Sequence, residues 1–224
     1  NSAMVVFDVD GTLIGGEAAD WTSFEDAFTE AAGFALDERF FLGLQEVTAQ
    51  SIVHEALAAC PLEERKIKER AVCRGYLQRL EAAHRTHTGS FQATAGAHDL
   101  LRELRAQGVP VAIATGDWRE TISFKLRASG LPVEGLPMVT SSEYLRRADI
   151  IAAAVALAGR TLDEALYVGD GLWDLRATQA LGIPFVGVGH RREKLRAAGA
   201  PHVLADLTPG PFLQAREATL RARR

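Results

Sequence analysis

VVFDVDGTLIGG, Val5 to Gly16, decides how the chain is read. Three apolar residues run directly into two aspartates one residue apart, and a Gly-Thr turn follows, the pattern of a buried strand that ends in a polar loop. Side chains at i and i+2 of an extended segment point the same way, so Asp8 and Asp10 leave the strand end on one side. Two carboxylates so close repel each other, and a bound cation or a shared proton is the usual means by which such a pair is tolerated. On turn and capping preferences alone, the stretch also reads as an Asp-rich turn leading into a helix.

Working outward, the rhythm changes at once. From Gly15 to about Gly89 the pattern is helical: Trp21, Phe24, Phe28 and Ala31 or Ala32 form an amphipathic stripe that closes on Gly33, and Thr48 to Cys60 and Leu62 to His84 predict further helices. This is a small all-helical unit of three or four helices inserted after the first strand. The aromatic stripe reads first as internal packing, with substrate contact as the alternative. From about Phe91 a second rhythm repeats, a helix ending in Gly followed by an apolar strand. Candidate strands are Met4 to Phe7, Val109 to Ala114, Pro137 to Thr140, Ala165 to Val168, Pro184 to Val188 and a short one near His202 to Leu204. Such βα units build a parallel sheet, so the fold class is α/β. Ligands of open parallel sheets sit beyond the carboxyl ends of the strands, and here those ends carry Asp8 and Asp10, Thr115 and Gly116, and Gly169 and Asp170.

Composition excludes several classes. A net charge of -4 offers no basic surface for nucleic acid or an anionic membrane. Arg216 to Arg224 alternates with Ala, Leu and Glu and reads as the solvated end of a terminal helix. Cys60 and Cys73 lie in no CxxC pair, which argues against a disulfide framework or zinc site and for a reduced, cytoplasmic setting. No apolar run nears the roughly 18 residues of a membrane span, and no signal peptide precedes the first strand.

Asp8-Val9-Asp10-Gly11-Thr12-Leu13 resembles the first motif of the haloacid dehalogenase-like hydrolases, mostly magnesium-dependent phosphatases. The resemblance covers nearly the whole chain and is greatest to the helical-cap branch that includes phosphoglycolate phosphatases and phosphoglucomutases. It implies a Rossmann-like three-layer core, residues 1–14 and 90–224, with a helical cap over 15–89 hinged at Ile14 to Gly16 and Thr86 to Ser90. It also implies roles. Asp8 is the nucleophile, giving an aspartyl-phosphate, and Asp10 the general acid and then base. Gly11, Thr115 and Gly116 bind the phosphoryl oxygens. Mg²⁺ is held by the Asp8 carboxylate, the Asp10 backbone carbonyl and Asp170, with Asp174 close by on metal-bound water. The capping alternatives stay open: Asp170 as a helix N-cap with Asp174 as a favourable helix-start charge, and Asp117 with Glu120 as a capping box.

The third motif departs from the pattern, because no Lys occurs between Lys125 and Lys194. Arg147 is the leading replacement, Arg146 the second, and Lys125 the candidate should both arginines face solvent. Arg bridges two oxygens where Lys is a point charge. The expected partner is a small phosphorylated metabolite, handled by a monomer or homodimer. The alternatives are a phosphoglucomutase-like phosphotransferase, a haloacid dehalogenase, which would lack Asp10 and need no metal, and a non-catalytic phosphate-binding protein. Phosphonate hydrolysis would need a cap lysine, for which Lys66 and Lys68 are available.

Overall fold

The computed structural model describes residues 3–15, 18–87 and 89–222, so Gly16 and Thr88 of the two expected hinges, and Arg223 and Arg224 of the basic tail, lie outside the described residues. The chain runs β1 (Met4–Phe7), α1 (Ala18–Ala32), α2 (Glu38–Gly43), α3 (Ala49–Ala56), α4 (Leu62–Thr86), α5 (Ala97–Ala106), β2 (Val111–Ala114), α6 (Arg119–Ser129) and β3 (Met138–Val139). It continues with α7 (Arg147–Leu157), β4 (Ala165–Gly169), α8 (Leu172–Leu181), β5 (Phe185–Val188), α9 (Arg192–Ala197), β6 (Val203–Leu204) and α10 (Pro209–Arg221). The six strands form one parallel sheet in the order β3-β2-β1-β4-β5-β6. The order reverses at β1, so the crevice of the fold opens beyond the carboxyl ends of β1, β2 and β4.

Three strands are shorter at their starts than the apolar pattern predicts, and proline is the reason. Pro110, Pro137 and Pro184 each precede a strand, and each accepts a ladder bond, from Val5, Ile113 and Tyr167 respectively, at 2.9, 2.8 and 3.0 Å. None can donate one, so regular pairing begins one residue later.

Strand alternation builds the layers. Met4 and Val6 face a cluster with Ile150, Ile151, Ala154, Tyr167 and Leu175, under α7 and α8. Val5 and Phe7 face the other way, into a cluster that takes in Leu100, Leu104, Ile122 and Phe212 and runs on into the helical unit through Phe28, Val72 and Leu80. The sheet is thus covered on both faces, as its uninterrupted apolar strands require. Four helices, α1 to α4, form the unit between β1 and β2, and its entry and exit lie side by side, with Gly15 N–H donating to Gln92 O at 3.0 Å and Thr94 N–H to Leu13 O at 2.9 Å. Among the described residues, no helix is long and apolar enough to cross a membrane.

Candidate active site

The first strand delivers its aspartate by continuing its ladder: Asp8 N–H donates to Val168 O at 2.9 Å, so Asp8 leaves the sheet at a fixed point, 4% exposed. The chain then turns back, with Thr12 and Ile14 N–H both donating to Val9 O at 3.0 Å. Gly11 has φ +76°, and a Cβ there would lie 2.3 Å from Asp170 Oδ2, so the turn accepts no side chain at this point. Asp170 follows β4, and α8 begins two residues later. Asp174 in its first turn accepts a bond from Gly171 N–H at 3.0 Å on Oδ2 and lies 3.1 Å from the Tyr167 hydroxyl on Oδ1. The Asp174–Gly171 bond is the capping arrangement at this helix, with Gly171, not Asp170, at the N-cap.

The carboxylates of Asp8, Asp170 and Asp174 each offer an oxygen within 4.8 Å of the others, and all three residues are buried. Oxygen-only donors of this kind suit a hard cation such as Mg²⁺. The electrostatics favour one as well. Burial, then the Asp174 charge, pushes the Asp8 carboxyl well above the usual carboxylate range, with Arg147 pulling it back. Burial and Asp174 likewise raise Asp170 to about 7, against the pull of Arg191. A divalent cation among them would oppose both shifts by favouring the ionised carboxylates.

Arg147 and Arg146 separate cleanly. The α7 helix begins at Arg147, so Arg147 is carried on its first turn and buried. Its Nη1 lies 3.4 Å from Asp8 Oδ1 and 3.1 Å from Asp174 Oδ1, and its Nη2 donates to Val47 O at 2.9 Å. Gly116 is what admits it, since a Cβ there would stand 2.2 Å from Arg147 Nη2. Arg146 has its side chain 64% exposed and lies 3.6 Å from Glu46, away from the carboxylates.

Thr115 ends β2, buried, its hydroxyl accepting from Asp117 N–H at 3.2 Å. The next helix, α6, starts at Arg119 with Trp118 at its N-cap, and the Asp117–Glu120 capping box does not form. Asp117 Oδ1 accepts from Trp118 N–H and Thr121 Oγ1, both at 2.7 Å, while its Oδ2 lies 3.0 Å from Lys125 Nζ. Burial outweighs local capping here, because the carboxylate has a buried cation to meet.

Asp10 turns to that same cation. Its Oδ1 is 3.0 Å from Lys125 Nζ, so its carboxylate is not among the three that gather at Asp8. Burial raises the Asp10 carboxyl to about 7 against the opposing pull of Lys125. Lys125 also meets Asp20 Oδ2 at 2.9 Å and the Tyr76 oxygen at 2.8 Å, and Tyr76 donates to Asp20 Oδ1 at 2.6 Å. Burial disfavours the ammonium, but Asp10 and Asp117 more than offset it and keep Lys125 charged well above the usual lysine range. A cavity of about 150 Å³ opens above the strand ends, where Asp8, Asp10, Thr115, Gly116 and Arg147 meet helical residues including Trp21, Phe24 and Ile52.

The model of the family described as haloacid dehalogenase-like hydrolase matches residues 5–188. The chain is a haloacid dehalogenase-like hydrolase. It is 25% identical over 214 residues to a phosphoglycolate phosphatase from Synechococcus elongatus, covering 94% of this chain and 95% of that one. It is 28% identical over 193 residues to the plasmid protein CbbY from Cupriavidus necator, covering 81% and 76%. Among solved structures, CbbY from Rhodobacter sphaeroides in complex with phosphate superposes with a TM-score of 0.72 at 22% identity, over 93% of this chain and 96% of that one, a likeness of fold.

Of the remaining site residues, Lys125 takes another place than the third motif would give it, and Arg191 escapes a motif-by-motif reading. Lys125 belongs to the buried face of α6, with Thr121, Ile122 and Leu126, and the i, i+1, i+4, i+5 spacing of those four residues is the signal that puts a lysine on an inward face. Arg191 lies 2.6 Å from Asp170 and over the Trp173 ring at 5.0 Å, brought there by the loop after β5. No local pattern marks it. Trp21 and Phe24 line the cavity, whereas Phe28 in the same stripe is core.

Proposed function

We propose that this hydrolase is a Mg²⁺-dependent phosphomonoesterase acting on a small phosphorylated metabolite, with residues 15–89 serving as its cap. The observation that carries the reading is the buried Asp8, Asp170 and Asp174 cluster with Arg147 against it at the carboxyl edge of the sheet. Asp8, Asp170 and Asp174 would hold Mg²⁺, assisted by the Asp10 carbonyl, and the bound ion supplies positive charge that offsets the repulsion between an anionic nucleophile and an anionic ester.

The remaining chemistry belongs to the chain. Arg147, with Thr115 and the Gly116 N–H, holds the phosphoryl oxygens. Asp8 attacks phosphorus, the ester P–O bond breaks, and the departing alkoxide takes the proton from Asp10. A carboxyl raised to about 7 is suited to hold that proton near neutrality. Water then attacks the aspartyl-phosphate with Asp10 accepting its proton, and Asp8 and inorganic phosphate are released. A cap excludes bulk water from the first step. Lys66 and Lys68 pair with Glu63 and Glu64 and line no part of the cavity, which weighs against a Schiff-base phosphonatase. The presence of Asp10 weighs against a dehalogenase. Turnover of p-nitrophenyl phosphate with Mg²⁺ is expected for the parent and abolished in Asp8→Asn; equal turnover in both rejects the proposal.

A further inference from the structure

We infer that the alcohol portion of the substrate carries no negative charge: the cavity admits phosphomonoesters with a neutral or cationic leaving group and discriminates against those with a second anion. This rests on the phosphatase reading and adds to it the charge class of the substrate.

The argument is a census of charge around the cavity. Among the described residues that line it, Arg147 is the one cationic side chain, and it is committed to Asp8, Asp174 and the Val47 carbonyl. Lys125 lies behind the lining with its ammonium already shared among Asp10, Asp20, Asp117 and Tyr76. Arg191 is occupied by Asp170 and stacked on Trp173. Beyond the group that handles the phosphate, the lining therefore presents carboxylates and aromatic side chains: Asp20, Asp117, Trp21, Phe24, Tyr76 and Trp173.

Several neutral donors around the cavity are also committed. Ala49 N–H donates to Gly116 O at 2.6 Å, Thr48 Oγ1 to Leu145 O at 2.8 Å, Trp118 Nε1 to Gln50 Oε1 at 2.6 Å and Tyr76 to Asp20. A second anion would lie beside the Asp20 and Asp117 carboxylates in a lining whose one cation handles the phosphate, and like charges at close range repel.

The test is a charge series on one skeleton. With Mg²⁺ at pH 7.5, kcat/KM is measured for 2-aminoethyl phosphate, 2-hydroxyethyl phosphate and 2-phosphoglycolate, with glycerol 3-phosphate against 3-phosphoglycerate as a second pair. The expected result is that each carboxylate ester falls at least tenfold below its neutral counterpart and that the amino ester equals or exceeds the hydroxy ester. Trp21→Arg, which brings a cation to the cavity rim, is expected to narrow the 2-hydroxyethyl phosphate to 2-phosphoglycolate ratio at least threefold, which intrinsic reactivity of the esters cannot do. Turnover of 2-phosphoglycolate within tenfold of the neutral ester or above it, or an unchanged ratio in Trp21→Arg, overturns the inference while leaving the phosphatase reading intact. No turnover of any ester, p-nitrophenyl phosphate included, removes both.

Discussion

Replacing Lys125 by Met removes one charge and leaves its stem volume filled. Lys125 is fully buried and is met by Asp10, Asp20 and Asp117 at 3.0, 2.9 and 3.0 Å. Deleting the cation strands carboxylates, and breaking a buried pair by removing one partner costs roughly 3–5 kcal/mol. For a chain of this size 1 kcal/mol is about 2–4 °C, so the melting temperature of the metal-free protein at pH 8 is expected to fall by about 6–20 °C. The penalty has a pH signature. In the parent, the lysine's raised pKa means its contribution is fully present below the unfolded value of 10.5 and changes little between pH 5 and 8. In the variant, Asp10 and Asp117, already raised by burial, lose their opposing cation and take up protons, so the deficit shrinks as pH is lowered to 5. Adding Asp117→Asn to Lys125→Met should recover part of the loss at pH 8. Thermal unfolding followed by circular dichroism measures all of this. A fall under about 2 °C, or a deficit independent of pH, would refute the idea that Lys125 neutralises a buried acidic cluster.

Other expectations follow from the same geometry. Arg147→Ala should lower kcat/KM roughly 10²–10³-fold, the scale of losing one oxyanion-type donor, while Arg146→Ala stays within about twofold; steady-state assay with p-nitrophenyl phosphate separates them. In metal-free protein, Asp10 and Asp170 have folded pKa values of about 7 against 3.8 unfolded, so the folded state binds more protons and stability should fall as pH rises through that window. At pH 8, Mg²⁺ should restore it, and Asp170→Asn should remove most of the Mg²⁺-induced shift in melting temperature. Gly11→Ala places a methyl 2.3 Å from Asp170 Oδ2 at φ +76°, so a stability loss of about 1–2 kcal/mol or more from the left-handed backbone alone is expected in urea unfolding, with Mg²⁺-dependent turnover falling further.

The sheet was legible because its central strands, β1, β4 and β5, are buried on both faces, which writes each one as an apolar run. Where strands β2, β3 and β5 start later than expected, a proline was the cause: Pro110, Pro137 and Pro184 look like strand in an apolarity pattern and cannot donate in one. The residues at the ends of β1 and β4 were legible because acidic residues at strand ends have no reason in packing to be there. Asp117 was misread locally, since capping preference is short-range and Lys125 reaches it from two turns along α6. Lys125 itself was read as a phosphate-site candidate, and its actual partners come from Asp10, Asp20 and Tyr76, three segments that no spacing rule connects. Arg191 illustrates the same limit: its approach to Asp170 depends on β5 lying beside β4, a fact of topology.

Those tertiary contacts have a consequence for how closure and chemistry are linked. The segments that would hold the phosphate are the same ones on which the helical unit rests. Gly116 supplies its carbonyl to Ala49, Leu145 supplies its carbonyl to Thr48, and the Arg147 guanidinium takes the Val47 carbonyl while facing Asp8. Lys125 ties Asp10 on the sheet side to Asp20 of α1 and Tyr76 of α4 on the other. A helical unit that lifted away would have to release Arg147 from Val47 and Lys125 from Asp20 together, which under the proposed function would loosen the phosphate ligand and the proton carrier in one motion. On that proposal a substitution confined to the seat, such as Thr48→Val, should lower kcat for p-nitrophenyl phosphate through Arg147 and Asp10 although it touches neither the proposed nucleophile nor the proposed metal ligands.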